Sequence, residues 1–545
     1  MSATQTGNES RLLAEIAAAM SAGNFAQASR IADALLAGGL MHPLPYQARA
    51  LHLDKLGRGG EALANFLQAQ SLSPNDPVIA NGVAICLGRM GRLQEAMAAF
   101  ETAIALDPTL VTTHFHMGWV LEMHQDFARA RQAYGRAVEM APQYAAAWAG
   151  LATAAEGDRN WKDVQTAAAR ALAIDPRQPR VILSLAFAEI QESQFAAAET
   201  RLRAALQTPG FAPGPLRIGM LGLLADTLDA QDKTEEAFSF YAAENTERRK
   251  AYLSLPQSLD MAALVRNLTT HFQDAYPARW SLPTDDDGNG EGVKEHIFLL
   301  GFPRSGTTLL EQVLSAHPKV ITLEESDVLD ASAEIFLRNI PSLERLASLG
   351  GDDLVRVRRD YWRRVRAHGL DVKGKVFVDK LPLNTIKLPL IAKLFPTAKV
   401  IFSLRDPRDV VFSCFRRHFQ VNASTCEFLT LPGAARYYDS VMTLGEICRQ
   451  RLPLPFHSYR HEDLVQDFDG EMRRLCAFAG IDWVDRFRDF AEIARRRNIR
   501  SISALQIHRG LYGDGVGQWR RYSAQLAPIL SVLQPWVEKF GYDPT

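Results

Sequence analysis

One stretch of the sequence decides the fold of its C-terminal half: His296-Ile297-Phe298-Leu299-Leu300-Gly301-Phe302-Pro303-Arg304-Ser305-Gly306-Thr307-Thr308. The apolar residues at its start predict a buried strand, and the residues after it, 309–314, have helical spacing. A tight turn between a strand and a helix collects backbone N–H groups and the positive end of a helix dipole. The stretch therefore predicts an anion-binding loop in an α/β domain, and its strand and helix context disfavours a glycine turn without a ligand.

The loop lacks a lysine that phosphate loops of nucleoside triphosphatases contain, and this limits the anions that it is expected to bind. The spacing from Gly301 to Gly306 is that of the phosphate loop of nucleoside triphosphatases, G-x-x-x-x-G-K-S/T, but Thr307 occupies the lysine position. That lysine reaches the β- and γ-phosphates of a triphosphate. Its absence disfavours triphosphate hydrolysis. One arginine, Arg304, and several hydroxyls instead suit a single 5′-phosphate.

A second anion site is predicted 100 residues further along the chain. Residues 399–404 form another buried-strand pattern that ends in Arg405, where open α/β sheets bind ligands. In the predicted helix that follows, Ser413 and Arg417 are four residues apart and are expected to share a helix face. These groups can surround a second phosphate. The alternative is a surface arginine cluster paired with neighbouring aspartates.

Residues 303–308 resemble the 5′-phosphosulfate-binding loop of the sulfotransferases, most closely the tyrosylprotein sulfotransferases, whose donor is 3′-phosphoadenosine 5′-phosphosulfate (PAPS). In that family an arginine, a serine eight residues on and an arginine four beyond it contact the 3′-phosphate. The resemblance covers about 250 residues, from Glu295 onward. It implies that the donor contacts are Arg304, Ser305, Gly306, Thr307, Thr308, Arg405, Ser413 and Arg417.

The same resemblance implies the catalytic groups. Glu325 lies 21 residues after Arg304 and is the second of two adjacent glutamates, as is the family's base. Glu324 is the alternative, and adjacent glutamates by themselves are typical of a solvated helix start. Lys380 lies in residues 376–382, which are predicted to form a strand that runs into a proline-stopped loop, and it resembles the family's transition-state lysine, with a surface pair to Asp379 as the alternative.

The chain departs from the family pattern near its C-terminus. By the resemblance, Ser503, which lies three residues before Gln506, corresponds to the family's second transition-state residue, a serine. In the same frame Gln518 replaces a nucleotide-binding lysine. His461 replaces a tyrosine beside the adenine, where an imidazole either stacks on the base or is a buried structural residue.

The N-terminal half contains an internal repeat. Pro74, Pro108, Pro142 and Pro176 are each 34 residues apart, and small residues keep the same period in three further columns. This period is typical of a helix–turn–helix unit, and it resembles the tetratricopeptide repeat (TPR). We predict a two-part fold: an all-α TPR solenoid over 9–255 with about seven repeats, five of them in strict register, a helical connector and linker over 256–293, and an α/β P-loop-like sulfotransferase domain with a central parallel sheet over 294–545.

Composition excludes several other classes. The formal net charge is −1, so no global field favours nucleic acid. The five cysteines contain no C-x-x-C pair and predict neither zinc nor a disulfide framework. The sequence shows no signal-peptide pattern and no apolar run of about 18 residues, so we expect a cytoplasmic protein without a membrane span.

The sequence thus predicts an enzyme that moves a sulfuryl group from PAPS to a hydroxyl, with 3′-phosphoadenosine 5′-phosphate (PAP) as product and no metal. A TPR array binds extended polypeptide, which favours tyrosine in a protein or peptide as acceptor. The array could also serve only for packing or dimerisation, and a saccharide or small-molecule hydroxyl stays open as acceptor. Alternatives from other classes are a P-loop metabolite kinase and a TPR scaffold with a vestigial nucleotide site.

Overall fold

The computed structural model describes residues 3–208, 214–254, 260–274, 292–492 and 515–544. The chain divides into two compact units, Met1–Gln231 and Asp232–Thr545. Of the predicted connector and linker over 256–293, the structure describes residues 260–274 and 292–293, and Ser503 lies outside the described residues. The predicted domain boundaries near residues 255 and 293 stay predictions.

The first unit is built of helices in antiparallel pairs. Its helices are α1 Ala3–Ser21, α2 Phe25–Ala37, α3 Pro43–Lys55, α4 Gly59–Leu72, α5 Pro77–Arg89, α6 Leu93–Leu106, α7 Val111–Met123, α8 Phe127–Met140, α9 Ala145–Gly157, α10 Trp161–Ile174, α11 Pro179–Gln191, α12 Phe195–Gln207 and α13 Pro215–Ala230. Each of the four periodic prolines lies two residues beyond the end of the second helix of a pair, because proline cannot continue the helical hydrogen-bond ladder. The predicted all-α repeat fold is confirmed.

The periodic small residues let the paired helices approach each other. Ala62, Ala96 and Ala130, one column of the repeat, are fully buried. At Gly118 a Cβ atom would lie 2.8 Å from the ring of Tyr134, which is itself fully buried. The repeat therefore encodes close helix contacts, and larger side chains at these positions would force the helices apart.

The second unit has a five-stranded sheet, and all of its strand pairs are parallel. The strands are β1 Glu295–Gly301, β2 Val320–Glu324, β3 Val376–Lys380, β4 Lys399–Leu404 and β5 Phe456–Arg460. Their spatial order is β2-β3-β1-β4-β5. The helices are α14 Thr234–Leu253, α15 Met261–Asp274, α16 Thr307–Leu314, α17 Asp330–Phe336, α18 Ile340–Ala347, α19 Gly351–Ala367, α20 Leu388–Leu394, α21 Pro407–Arg416, α22 Leu431–Arg451, α23 His461–Gln466, α24 Phe468–Ala479 and α25 Ser523–Lys539.

The central strand of this sheet carries the anion-binding loop. β1 lies between β3 and β4, and six of its seven residues are buried. β3 is buried along its whole length, which matches the continuous apolar runs that predicted these strands. The strands that come next in sequence, β2 and β3, lie on one side of β1, and the later strands β4 and β5 lie on the other side. Ligands of open α/β sheets bind where the strand order reverses in this way, outside the carboxyl ends of the strands.

Candidate active site

The carboxyl ends of all five strands carry residues that the sequence predicted for the site. The loop 302–306 follows β1, Glu325 follows β2, Lys380 ends β3, Arg405 follows β4 and His461 follows β5. Because the strands are parallel and in register, these ends meet at one edge of the sheet. Residues separated by up to 157 positions in sequence are thereby collected into a single site.

Gly301, Arg304 and Gly306, at the turn after β1, have positive φ angles, which favour glycine. Gly301 has a φ of 150°, and a Cβ there would lie 2.6 Å from the carbonyl oxygen of Ser403. Gly306 has a φ of 95°, and a Cβ there would collide with the ring of His461. Arg304 adopts a φ of 72° without being glycine. Such left-handed turns at a helix N-terminus aim successive N–H groups at one point.

Buried hydroxyl groups fix the loop from behind. Thr385 Oγ1 donates to Gly301 O at 2.8 Å and accepts from Gly301 N at 3.3 Å. Ser403 Oγ donates to Ser305 O at 2.7 Å and lies 2.9 Å from the hydroxyl oxygen of Tyr459. Ser305 and both threonines at the start of α16, Thr307 and Thr308, are buried. The loop is therefore preorganised, and an anion would bind without having to order it.

Arginine side chains converge beside the loop. Arg304 Nε donates to Ser413 Oγ at 3.0 Å, and Arg405 Nη1 donates to Arg304 O at 3.0 Å. Arg405 Nη2 also bonds Gly515 O. Burial, together with repulsion from Arg417 and Arg405, lowers the pKa of Arg304 to about 10. Mutual repulsion among these half-buried guanidinium groups is relieved when an anion binds between them.

Arg417 reaches this cluster in a different way from that predicted. Ser413 lies inside α21, but the helix ends at Arg416 and Arg417 has an extended backbone, with φ −104° and ψ 145°. The prediction that Ser413 and Arg417 share a helix face is wrong, because the spacing of four residues spans the helix end. Asn245 of α14 donates to Phe415 O at 2.7 Å, which holds the backbone at this helix end.

Lys380 and two glutamates form an ion-paired group at the ends of β2 and β3. Lys380 Nζ lies 2.8 Å from Glu325 Oε1 and 3.0 Å from Glu311 Oε2. Lys380 and Glu311 are buried, whereas the Glu325 side chain is 42% exposed. Burial opposes the charge on Lys380, but Glu311 and Glu325 outweigh it and raise the pKa of Lys380. The lysine is thus held as a cation beside an accessible carboxylate.

The two alternatives considered for these residues are wrong. Glu324 and Glu325 do not start a helix, since Glu324 is the last residue of β2 and the Glu325 amide donates to Lys380 O at 2.8 Å. Lys380 does not form a surface pair with Asp379. Asp379 is fully buried and accepts from the Tyr361 hydroxyl at 2.8 Å. Burial raises the pKa of Asp379 to about 7.

His461 packs against the loop, since its ring occupies the space into which a side chain at position 306 would project. Burial lowers the pKa of His461 to about 3, and the nearby Arg405 and Arg304 act in the same direction, so the ring is neutral.

Gln518 lies in a 3₁₀ helix and accepts from Arg521 at 3.3 Å. Asp409 accepts from the amides of the flanking residues Gly517 and Trp519, and so anchors this segment.

Two buried residues of the site were not predicted from the sequence. Glu311 is the second carboxylate that contacts Lys380. The sequence indicated it only as a charged residue among the apolar residues of the segment that forms α16. Thr385 binds both the N–H and the C=O of Gly301 from a 3₁₀ helix after β3. Nothing in its sequence neighbourhood indicated that contact, because it depends on the pairing of β1 with β3.

Two family models match the chain. The model of the "Sulfotransferase family" matches residues 296–485, and that of the "Tetratricopeptide repeat" matches residues 48–110 and 117–179. Among the described residues, no helix has both the length and the apolar character needed to cross a membrane.

Relatives align with somewhat less than half of the chain. An uncharacterized protein of Aquifex aeolicus is 28% identical over 46% of this chain and 34% of its own length. Protein-tyrosine sulfotransferase 1 of Danio rerio is 27% identical over 46% of this chain and 72% of its own length. The protein-tyrosine sulfotransferase of Drosophila melanogaster is 25% identical over 46% of this chain and 52% of its own length. The match thus spans about a third of the first relative and about half of the third.

The family match covers all five strand ends and the two anion-binding segments. The repeat match covers α4 to α6 and α8 to α10 of the first unit completely, and about half of α3 and of α7. The N-terminal part of this chain is a tetratricopeptide repeat array, and its C-terminal part carries a domain of the sulfotransferase family.

Proposed function

We propose that this chain transfers a sulfuryl group from PAPS to the hydroxyl of a tyrosine in a protein or peptide, which the TPR array helps to bind. The observation that carries the proposal is the meeting of an anion loop, a carboxylate, a buried lysine and an arginine at one edge of the sheet. Each chemical role that sulfuryl transfer requires has a group of the appropriate type at this edge.

The donor fits the charges of the site. The loop amides, Arg304 and the hydroxyls of Ser305, Thr307 and Thr308 are proposed to hold its 5′-phosphosulfate, with Gly306 leaving room for it. Arg405, Ser413 and Arg417 are proposed to hold its 3′-phosphate. The mutual repulsion of the guanidinium groups supports an anionic ligand, because an anion bound between them compensates their charge.

The chemistry is a direct displacement at sulfur. The acceptor oxygen attacks, the bond between sulfur and the bridging phosphate oxygen breaks, and Glu325 takes the acceptor's proton. Lys380 Nζ donates a hydrogen bond to Glu325 Oε1 at 2.8 Å and is proposed to move this hydrogen bond to the oxygen on which charge develops. That shift frees Glu325 for the proton. Ser503, which lies outside the described residues, is proposed as a further stabilising group.

The acceptor is argued from the repeat array and from the relatives. TPR arrays form surfaces that bind extended polypeptide. Two of the relatives reported above are protein-tyrosine sulfotransferases by name. Both points favour a tyrosine-containing polypeptide over a saccharide or a small molecule, and mass spectrometry of the products distinguishes the three.

The test compares two adjacent glutamates. The protein is incubated with PAPS and a tyrosine peptide, and sulfated product is quantified by mass spectrometry. Glu325→Gln is expected to lower the rate by about 10²- to 10⁴-fold, as expected for loss of a general base, while PAP binding by calorimetry is unchanged. Glu324→Gln is the matched control and is expected to keep most of the activity. Full activity of Glu325→Gln would remove it as the base.

A further inference from the structure

A cavity of about 670 Å³ lies within the second unit and is distinct from the arginine-lined donor site. Its wall is formed by α15, by the segment that leads from β2 into α17, by the segment after β3 and by residues 422–424. This volume is within the usual range of small-ligand sites, about 300–1,000 Å³, and suffices for an aromatic side chain together with its neighbours.

The cavity lies next to the proposed catalytic pair, Glu325 and Lys380, because residues close to them in sequence line it. Asp327 lines it and is two residues from Glu325, so their Cα atoms are at most about 7 Å apart. Leu381 also lines it and directly follows Lys380. Since β2 and β3 are neighbouring strands with Glu324 opposite Lys380, both segments leave the sheet side by side. An acceptor seated in the cavity can therefore present a hydroxyl to Glu325.

The lining is apolar with an excess of carboxylates. Its apolar part comprises Met261, Leu264, Leu337, Leu381, Leu383 and Ile386. Three carboxylates, those of Asp327, Asp330 and Glu334, face two cations, those of Arg338 and Lys387. Lys387 is already ion-paired with Asp330. Burial and the adjacent Asp330 raise the pKa of Asp327, so negative charge there is unfavourable until a cation approaches.

Charge is thus sorted between the two halves of the sheet edge. Arginines gather beside β1 and β4, where the donor is proposed to bind, and carboxylates gather beyond β2 and β3. We infer that this cavity is the acceptor subsite and that it selects tyrosines flanked by neutral or basic residues over tyrosines flanked by acidic residues. The inference rests on the proposed function and adds the charge class of its acceptor.

The experiment measures peptide binding, with and without PAP, by fluorescence anisotropy. Three peptides carry one central tyrosine flanked by lysines, serines or glutamates. The wild-type protein is expected to bind the lysine peptide about two- to five-fold more tightly than the glutamate peptide, the effect of one partly exposed ion pair. Asp327→Lys is expected to abolish or reverse this preference, and Asp327→Asn to weaken it. Asp353→Lys, on the exposed face of α19, is the matched control and is expected to leave the preference unchanged.

Several results would overturn the inference: equal or tighter binding of the glutamate peptide by wild type, a preference that Asp327→Lys does not alter, or no binding of any tyrosine peptide. Sulfate transfer to the same peptides and PAP binding are measured in parallel. Charge-selective peptide binding without transfer from PAPS would contradict the proposed function, on which this inference rests, and would leave the cavity only as a charge-selective peptide site. Transfer without charge selectivity would do the reverse.

Discussion

Replacing Glu311 by glutamine removes one partner of the most deeply buried ion pair in the site. Lys380 has a fully buried side chain, and that of Glu311 is 1% exposed, so the lysine would lose a carboxylate 3.0 Å away that water cannot replace. Removing one partner of a buried pair typically costs about 3–5 kcal/mol. Lys380 keeps Glu325 at 2.8 Å, but that carboxylate is 42% exposed and compensates only partly. We therefore expect a loss near the lower end, about 3 kcal/mol.

The assay is thermal unfolding followed by circular dichroism, with and without PAP. Because the chain has two units, the relevant transition is the one that PAP shifts to higher temperature. A loss of about 3 kcal/mol predicts that Glu311→Gln lowers this transition by about 6–12 °C. Glu311 is also the first of the charges that raise the pKa of Lys380, so its loss is expected to lower that pKa and to move the alkaline limit of transfer activity to lower pH.

The control is Asp469→Asn, which breaks an ion pair with Arg488 whose side chains are 43% and 57% exposed. Exposed pairs contribute about 0–1 kcal/mol, so the PAP-dependent transition of this variant is expected to stay within about 4 °C of wild type. The reasoning is refuted if Glu311→Gln is as stable as Asp469→Asn, since the ion pair with Lys380 would then contribute no more than a surface contact.

Further predictions concern the loop and the buried acid behind it. Gly306→Ala is expected to weaken PAP binding at least ten-fold by calorimetry, because its Cβ would collide with the His461 ring and its φ of 95° disfavours any side chain. Thr385→Val removes the hydroxyl that bonds both the N–H and the C=O of Gly301 and is expected to cost about 1–3 kcal/mol in urea unfolding. Burial raises the pKa of Asp379 from 3.8 to about 7, so the folded protein holds a proton that the unfolded chain releases, and this carboxyl makes stability fall by about 4 kcal/mol as pH rises through that window. Asp379→Asn is expected to remove that fall, seen as a difference from wild type in unfolding free energy between pH 4 and pH 7.

The sequence was most informative where a local pattern sufficed. The 34-residue period predicted the helix pairs because each repeat follows the same local rules, and the apolar runs predicted β1 and β4 to within one residue at each end. The fixed distance between Arg304 and Glu325 singled out the glutamate, although the distance alone gave no reason for its position. The structure supplies that reason, since Glu325 follows β2 beside the end of β3.

The sequence was least informative where a contact depends on which strands are neighbours. Glu311 meets Lys380, and Thr385 meets Gly301, only because β1 and β3 pair. The helix end at Arg416 was missed because spacing of four residues looks the same inside a helix and across its terminus. Ser503 falls outside the described residues, so its role stays a prediction.

We propose that the loop after β1 and the arginines beside it hold a donor with a 5′-phosphate and a 3′-phosphate. Calorimetric titration of the full chain with PAP and, separately, with ATP in the presence of Mg²⁺ tests this donor site. We expect clear binding of PAP, weakened at least ten-fold by Arg405→Ala, and little or no binding of ATP–Mg²⁺. Preferential binding of ATP–Mg²⁺, or PAP binding that is indifferent to Arg405→Ala, would show that the assigned donor site is wrong.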